Sequence, residues 1–221
     1  DFGFALLLAT SRRMMEAEHF LRAGLWQRWR YDMFAGGDVH GSTLGILGMG
    51  RIGQAIARRA AHGFDMNVIY HNRTQLDASL EAQCGAKWVS KNELLAACDH
   101  LKLVLPYSAE SHHAISAAEL VKMKSSATLI NIARGGIVDD VALAAALRNG
   151  TIAAAGLDVF EGEPKVHPDL LALSNVVLTP HIASATRSTR RAMAKLASDN
   201  LISYLVHGKA LTPLNPQVIR A

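Results

Sequence analysis

The chain has little of what would place it in a membrane, outside the cell or on nucleic acid. Two cysteines, Cys84 and Cys98, are all that its 221 residues contain. Their spacing matches no disulfide framework or zinc motif, so two buried thiols in a reducing cytoplasm are expected. Long hydrophobic runs are missing as well. The N-terminal run from Phe2 to Ala9 is far shorter than the ~20 residues of a bilayer span, and Asp1 stands where a secretory leader would carry basic residues. A globular protein without membrane association is expected.

The formal net charge of +4 comes without a basic stripe. The cations fall in scattered pairs (Arg12-Arg13, Arg58-Arg59, Arg190-Arg191) with no interleaved aromatics, which suits solvated helix faces and argues against nucleic acid. Ten histidines include no i, i+4 pair beside a carboxylate, and the adjacent His112 and His113 would diverge in regular structure; no metal site is expected. An initiator methionine is also lacking. The chain opens inside a helical pattern, which reads as a truncated beginning.

Half of the residues are hydrophobic, enough for a substantial core. Residues 1–22 have apolar positions at helical spacing and Gly24 ends the pattern, predicting one long helix. Trp26, Trp29 and Tyr31 follow in a connector that reads as a loop packed by its aromatics, with a surface or oligomer contact as its other use. From Thr43 the texture changes to short apolar runs alternating with helical segments: TLGILG, NVIYH, AKWV, HLKLVL, ATLINIA, TIAAAGL and NVVLTP. Capping boxes are expected at Ser90/Glu93 and Ser116/Glu119, and a helix from Asp139 to Asn149. Continuous apolar strands separated by helices predict an α/β fold, a doubly wound parallel sheet covered on both faces. A last helix, about Ser184 to His207, ends at Gly208 before a proline-containing tail.

Gly48-Met49-Gly50-Arg51-Ile52-Gly53 turns the first strand directly into a helix. Gly48 permits the turn, Gly50 lets a pyrophosphate approach the backbone, and Gly53 lets helix and strand pack closely. The helix N-terminus offers unpaired N–H groups to the phosphates. This predicts a dinucleotide site. At the end of the second strand an acid would bind the ribose 2′-hydroxyl and repel a 2′-phosphate, but His71-Asn72-Arg73-Thr74 contains none. Arg73 can pair with phosphate, and Asn72 and Thr74 can donate to it, so NADP is expected in preference to NAD, with NAD still possible.

Three later strands deliver polar residues at their C-terminal ends, where open parallel sheets bind ligands. LINIARGG places Arg134, AGLDVFEGEP places Asp158 and Glu163, and VVLTPHIAS places His181. Hydride transfer to a 2-keto acid needs a cation to grip the substrate and an acid to protonate its oxygen. Arg134 supplies the first, His181 the second, and Glu163 would orient the imidazole. Asp158 suits the nicotinamide end.

The stretches LGILGMGRIGQAIARR, INIARGGIVD, LDVFEGEP and TPHIAS resemble the D-isomer-specific 2-hydroxyacid dehydrogenases, especially the NADP-using glyoxylate, hydroxypyruvate and 2-ketogluconate reductase branch. The similarity covers nearly the whole chain. It implies Arg134 as the substrate-binding catalytic arginine, His181 as acid/base, Glu163 as its partner and Asp158 as a nicotinamide contact. It also implies that Arg51 and Ile52 lie under the pyrophosphate, that Pro106 and Ile132-Ala133 line the cofactor cleft, that Ser184 joins the cofactor set, and that the protein is a homodimer.

The same resemblance divides the chain into an interdomain helix (1–24), a dinucleotide-binding domain (25–184), and a helix and tail (185–221) returning to a substrate domain that is mostly absent. Two other readings compete: a dinucleotide-sensing module of the corepressor kind, and an inactive fragment.

Overall fold

A computed structural model of the protein describes residues 1–218. The chain divides into two compact units, Asp1–His181 and Ile182–Ala221. The first is built on seven parallel strands: β1 (Thr43–Leu47), β2 (Asn67–His71), β3 (Ala86–Trp88), β4 (His100–Leu103), β5 (Thr128–Asn131), β6 (Ala154–Leu157) and β7 (Val176–Leu178). They lie in the order β3-β2-β1-β4-β5-β6-β7. Strand order reverses between β1 and β4, and beyond their carboxyl ends such a sheet opens a crevice.

Strands β4 and β5 are buried at every position, because helices cover both faces. Beneath one face, α1 (Phe2–Ser11), α3 (Arg51–Gly63) and α4 (Ala78–Cys84) pack Phe4, Leu7, Ile56, Ala60 and Cys84 against Leu44, Ile46 and Val68. Beneath the other, α5 (Lys91–Ala97), α6 (Ala117–Leu120), α7 (Asp140–Arg148) and α8 (Pro168–Leu171) pack Leu94, Leu120, Leu143 and Leu170 against Leu101, Leu129 and Leu157. The alternation along each strand assigns side chains to the two cores. Both cysteines are free and buried, with burial pushing the Cys98 thiol up to about 12.

Of the two expected capping boxes, the one at Ser116 forms whole and the one at Ser90 by half. Ser116 and Glu119 make both halves of a capping box, Ser90 accepts the N–H of Glu93, and Asp139 accepts those of Val141 and Ala142 at the start of α7. One buried residue breaks the pattern. Lys102 in β4 is fully buried and donates to the carbonyl of Gly3 in α1, with its ammonium 5.5 Å from the Phe4 ring centre. Desolvation lowers its pKa to about 7.

Three expectations need correction. The long N-terminal helix is two: α1 ends at Ser11, Arg13 adopts φ 53°, and α2 (Met14–Arg22) starts anew. The returning connector takes the place of the next turn, since Gly37 N–H donates to Ser11 O and Gly36 leaves no room there for a Cβ. Glu16 then clasps the Arg13 guanidinium at 3.1 and 2.7 Å. Trp26, Trp29 and Tyr31 do not pack their loop: they are 55%, 73% and 92% exposed, and the packed ring there is Phe34 against Phe20.

The third correction concerns His112 and His113. Their rings do not diverge but stack with centroids 3.9 Å apart, because His113 takes φ 49°.

In the second unit, α9 (Arg187–His207) begins at the Thr186 cap, slightly later than expected, and ends at Gly208 in the left-handed conformation. A short 3-10 turn, Pro216–Val218, lies in the tail. Residues 219–221 of the expected C-terminal segment lie outside the described residues.

Candidate active site

The glycine loop satisfies three separate steric demands. Gly48 has φ 103° and sits so close to the chain after β4 that a Cβ would lie 2.7 Å from Leu105 N. A Cβ on Gly53 would lie 2.4 Å from Gly48 O. Around Gly50 there is open space, at the start of a 13-residue helix whose first N–H groups have no intrahelical partner. That combination of crowding behind and space in front fits a diphosphate at Gly50.

Beside it, a cavity of about 530 Å³ is lined by Gly48, Gly50, Asn72, Arg73, Thr74 and Pro106, among others. Asn72 has a structural task here as well, since its Oδ1 accepts Met49 N–H at 2.7 Å and its carbonyl accepts Trp88 Nε1 at 3.1 Å. It ties the end of β2 to the glycine loop. Arg73 and Thr74 are exposed, so their side chains can reach a ligand.

A second cavity, about 800 Å³, adjoins this one at Val104–Pro106. Ile52, Ile132, Ala133, Arg134, Glu163 and His181 all line it. Arginine, carboxylate and imidazole from three strand ends therefore share one cleft. Gly135 makes the convergence possible: a Cβ there would lie 1.7 Å from Phe160 O, so only glycine lets the Arg134 loop press onto the loop after β6. The Arg134 guanidinium is steadied by a 2.6 Å bond from Nη1 to Ala133 O.

Glu163 uses both oxygens. Oε1 accepts Phe160 N–H at 2.9 Å and Oε2 meets His181 Nδ1 at 2.8 Å. Partial burial pushes its carboxyl up, but the bonds from His181 and Phe160, with the charges of His181 and Arg134, together hold it below its ordinary range. An ionised carboxylate only accepts, so Nδ1 of His181 carries the proton and Nε2 remains for other chemistry. His181 itself has φ 52°, held by its N–H bonding to Asp158 O and Thr179 O. Such a conformation costs on the order of 1–3 kcal/mol and persists where surroundings impose it.

Asp158 lies apart from the lining. It is fully buried, its Oδ1 accepts Thr179 Oγ1 at 2.7 Å, and its carbonyl positions His181. Arg51 is exposed at the first turn of α3. Ser184 belongs to the second unit.

Residues 4–183 match the family model described as D-isomer specific 2-hydroxyacid dehydrogenase, NAD binding domain. The chain belongs to this family.

Among its dehydrogenase relatives, glyoxylate reductase of Thermococcus onnurineus is 50% identical over 208 residues, covering 92% of this chain and 62% of that protein. Glyoxylate/hydroxypyruvate reductase B of Yersinia pestis is 50% identical over 220 residues, covering 99% and 67%. The NADPH-dependent glyoxylate/hydroxypyruvate reductase of Sinorhizobium meliloti, solved with NADP and malonate, superposes with a TM-score of 0.87 at 41% identity, covering 100% of this chain and 68% of that one. The chain thus spans about two thirds of the length of the curated relatives it matches.

Several residues of this cleft carry little clear signal in the sequence pattern. Asn131 pins the Arg134 loop, accepting Ala133 N–H and donating to Arg134 O; a polar residue at the end of a buried strand was its signal. Glu110 lines the cavity of Arg73, its carboxyl held below the ordinary range by Ser108 first and by Arg73 among the lesser causes. Tyr107 lines the larger cleft. Neither stands in a periodic pattern that would single it out.

Proposed function

We propose that the protein containing this chain reduces a small 2-keto acid, of the glyoxylate or hydroxypyruvate kind, to the D-2-hydroxy acid, with NADPH as the preferred cofactor. The observation that carries this is the shared cleft of Arg134, Glu163 and His181 beside the glycine loop. The dinucleotide supplies a hydride when bound. Gly48, Gly50 and Gly53, with Arg51 and Ile52, would hold its diphosphate at the α3 N-terminus, while Pro106, Ile132 and Ala133 line the cleft beside it and buried Asp158 holds the backbone of His181.

Arg134 grips the substrate carboxylate and polarises the carbonyl with its planar fork. His181, oriented through Nδ1 by Glu163, gives a proton from Nε2 to the carbonyl oxygen as it gains charge. In the reverse direction the same nitrogen takes that proton back. Arg73 pairs with the 2′-phosphate, assisted by Thr74 and the Asn72 amide nitrogen. The NADPH-dependent relative from Sinorhizobium supports this preference, as do the names of the glyoxylate reductases for the substrate class.

By the same family reasoning, the protein is a homodimer, and α1 and α2 adjoin a substrate domain. Substrate-dependent loss of NADPH absorbance with glyoxylate or hydroxypyruvate, in the full-length protein, tests the proposal. Cofactor binding with no turnover on either acid would instead favour a sensing module.

A further inference from the structure

At the rim of the cleft, outside the proposed catalytic set, His112, His113 and Glu161 each present a donor atom, all within 4.8 Å of one another. His113 Nε2 already lies 3.0 Å from Glu161 Oε2. The left-handed backbone at His113 turns its ring back onto that of His112, and its N–H donates to Gly136 O at 2.8 Å. Glu161 is fixed from behind, its N–H bonding to Asp140 Oδ2 at 3.0 Å. Each imidazole also has a neighbour at its other nitrogen: the Tyr107 hydroxyl is 3.2 Å from His112 Nδ1, and an Asp139 oxygen is 3.9 Å from His113 Nδ1. The short contact from His113 Nε2 to Glu161 Oε2 holds a proton, which an ion bound between them displaces.

We propose that His112, His113 and Glu161 form a site for a divalent transition metal of the Zn²⁺ class, tying the loop after β4 to the loop after β6. Two imidazoles and a carboxylate suit such an ion better than Mg²⁺ or Ca²⁺, which prefer all-oxygen shells. An ion about 2.1 Å from each donor holds the donors about 3.4 Å apart, so binding turns the two stacked rings until both lone pairs meet at the ion. The ion takes the place of the proton shared by His113 and Glu161. Three protein donors leave one tetrahedral position to water. Tyr107 and Glu161 both line the larger cleft, so an ion here stiffens its wall. The site stands on this geometry alone and is independent of the proposed reduction.

Equilibrium dialysis of this chain against Zn²⁺, and the visible absorption of Co²⁺ as a tetrahedral probe, test the site. His112→Ala and Glu161→Gln are each expected to weaken Zn²⁺ binding by about tenfold or more and to remove the Co²⁺ band, while His207→Ala, in the second unit, changes neither. Both altered side chains are partly or fully exposed, and circular dichroism checks that the variants fold. Absence of a Co²⁺ band in the unaltered chain, or Zn²⁺ affinity equal in all three variants, overturns the proposal.

Discussion

Glu163 meets His181 through a 2.8 Å contact between Oε2 and Nδ1, while its other oxygen is occupied by the backbone of Phe160. The carboxylate is therefore fixed before it orients the imidazole, and its effect on chemistry is positional and electrostatic. Glu163→Gln is expected to lower kcat by part of the roughly 10²–10⁴ that positioned proton transfer supplies, with KM little changed. Steady-state kinetics of the full-length protein check this; an unchanged kcat removes Glu163 from the mechanism.

The same contact has an acid limit. The Glu163 carboxyl is held below its ordinary value of 4.5, so its stabilising contribution is fully present above that value and disappears as pH falls through the lower, folded one. Chemical-shift titration of the carboxyl is expected to show a midpoint below 4.5, moving upward in His181→Gln. A midpoint at or above the ordinary value in the unaltered protein contradicts the description.

Lys102 produces a dependence of the same sign in a more alkaline window. Its pKa is about 7 folded and 10.5 when exposed, so the unfolded chain holds more protons between these values and stability rises with pH across that window. Below about 7 the full cost of burying the charge remains. Lys102→Met is expected to flatten the rise and raise stability at neutral pH, as urea unfolding at several pH values will show.

How much of this was legible in the sequence follows from which interactions are local. The apolar strands, the helix caps and the Gly48–Gly53 turn depend on neighbours in the chain, and they form where the pattern puts them. The convergence of Arg134 and His181 was legible because parallel strands deliver their ends to one edge. The break at Arg12-Arg13 was not, since the group that completes it comes from Gly36 and Gly37. Nor was the stacking of His112 on His113, which depends on a left-handed backbone that no periodicity announces.

Arg73 is exposed and lines the cavity at the end of β2. Arg73→Asp is expected to weaken NADPH binding by at least about tenfold, the equivalent of about 1.4 kcal/mol, while NADH binding is retained. Fluorescence titration of this chain with both cofactors measures it; unchanged discrimination assigns the preference elsewhere.

The central claim is that His181 donates the proton to a substrate held beside the dinucleotide. His181→Gln in the full-length protein is the most direct test, with NADPH affinity measured alongside turnover of glyoxylate and hydroxypyruvate. The account predicts that kcat falls by roughly 10²–10⁴ while cofactor affinity is kept. Turnover at the unaltered rate would contradict it.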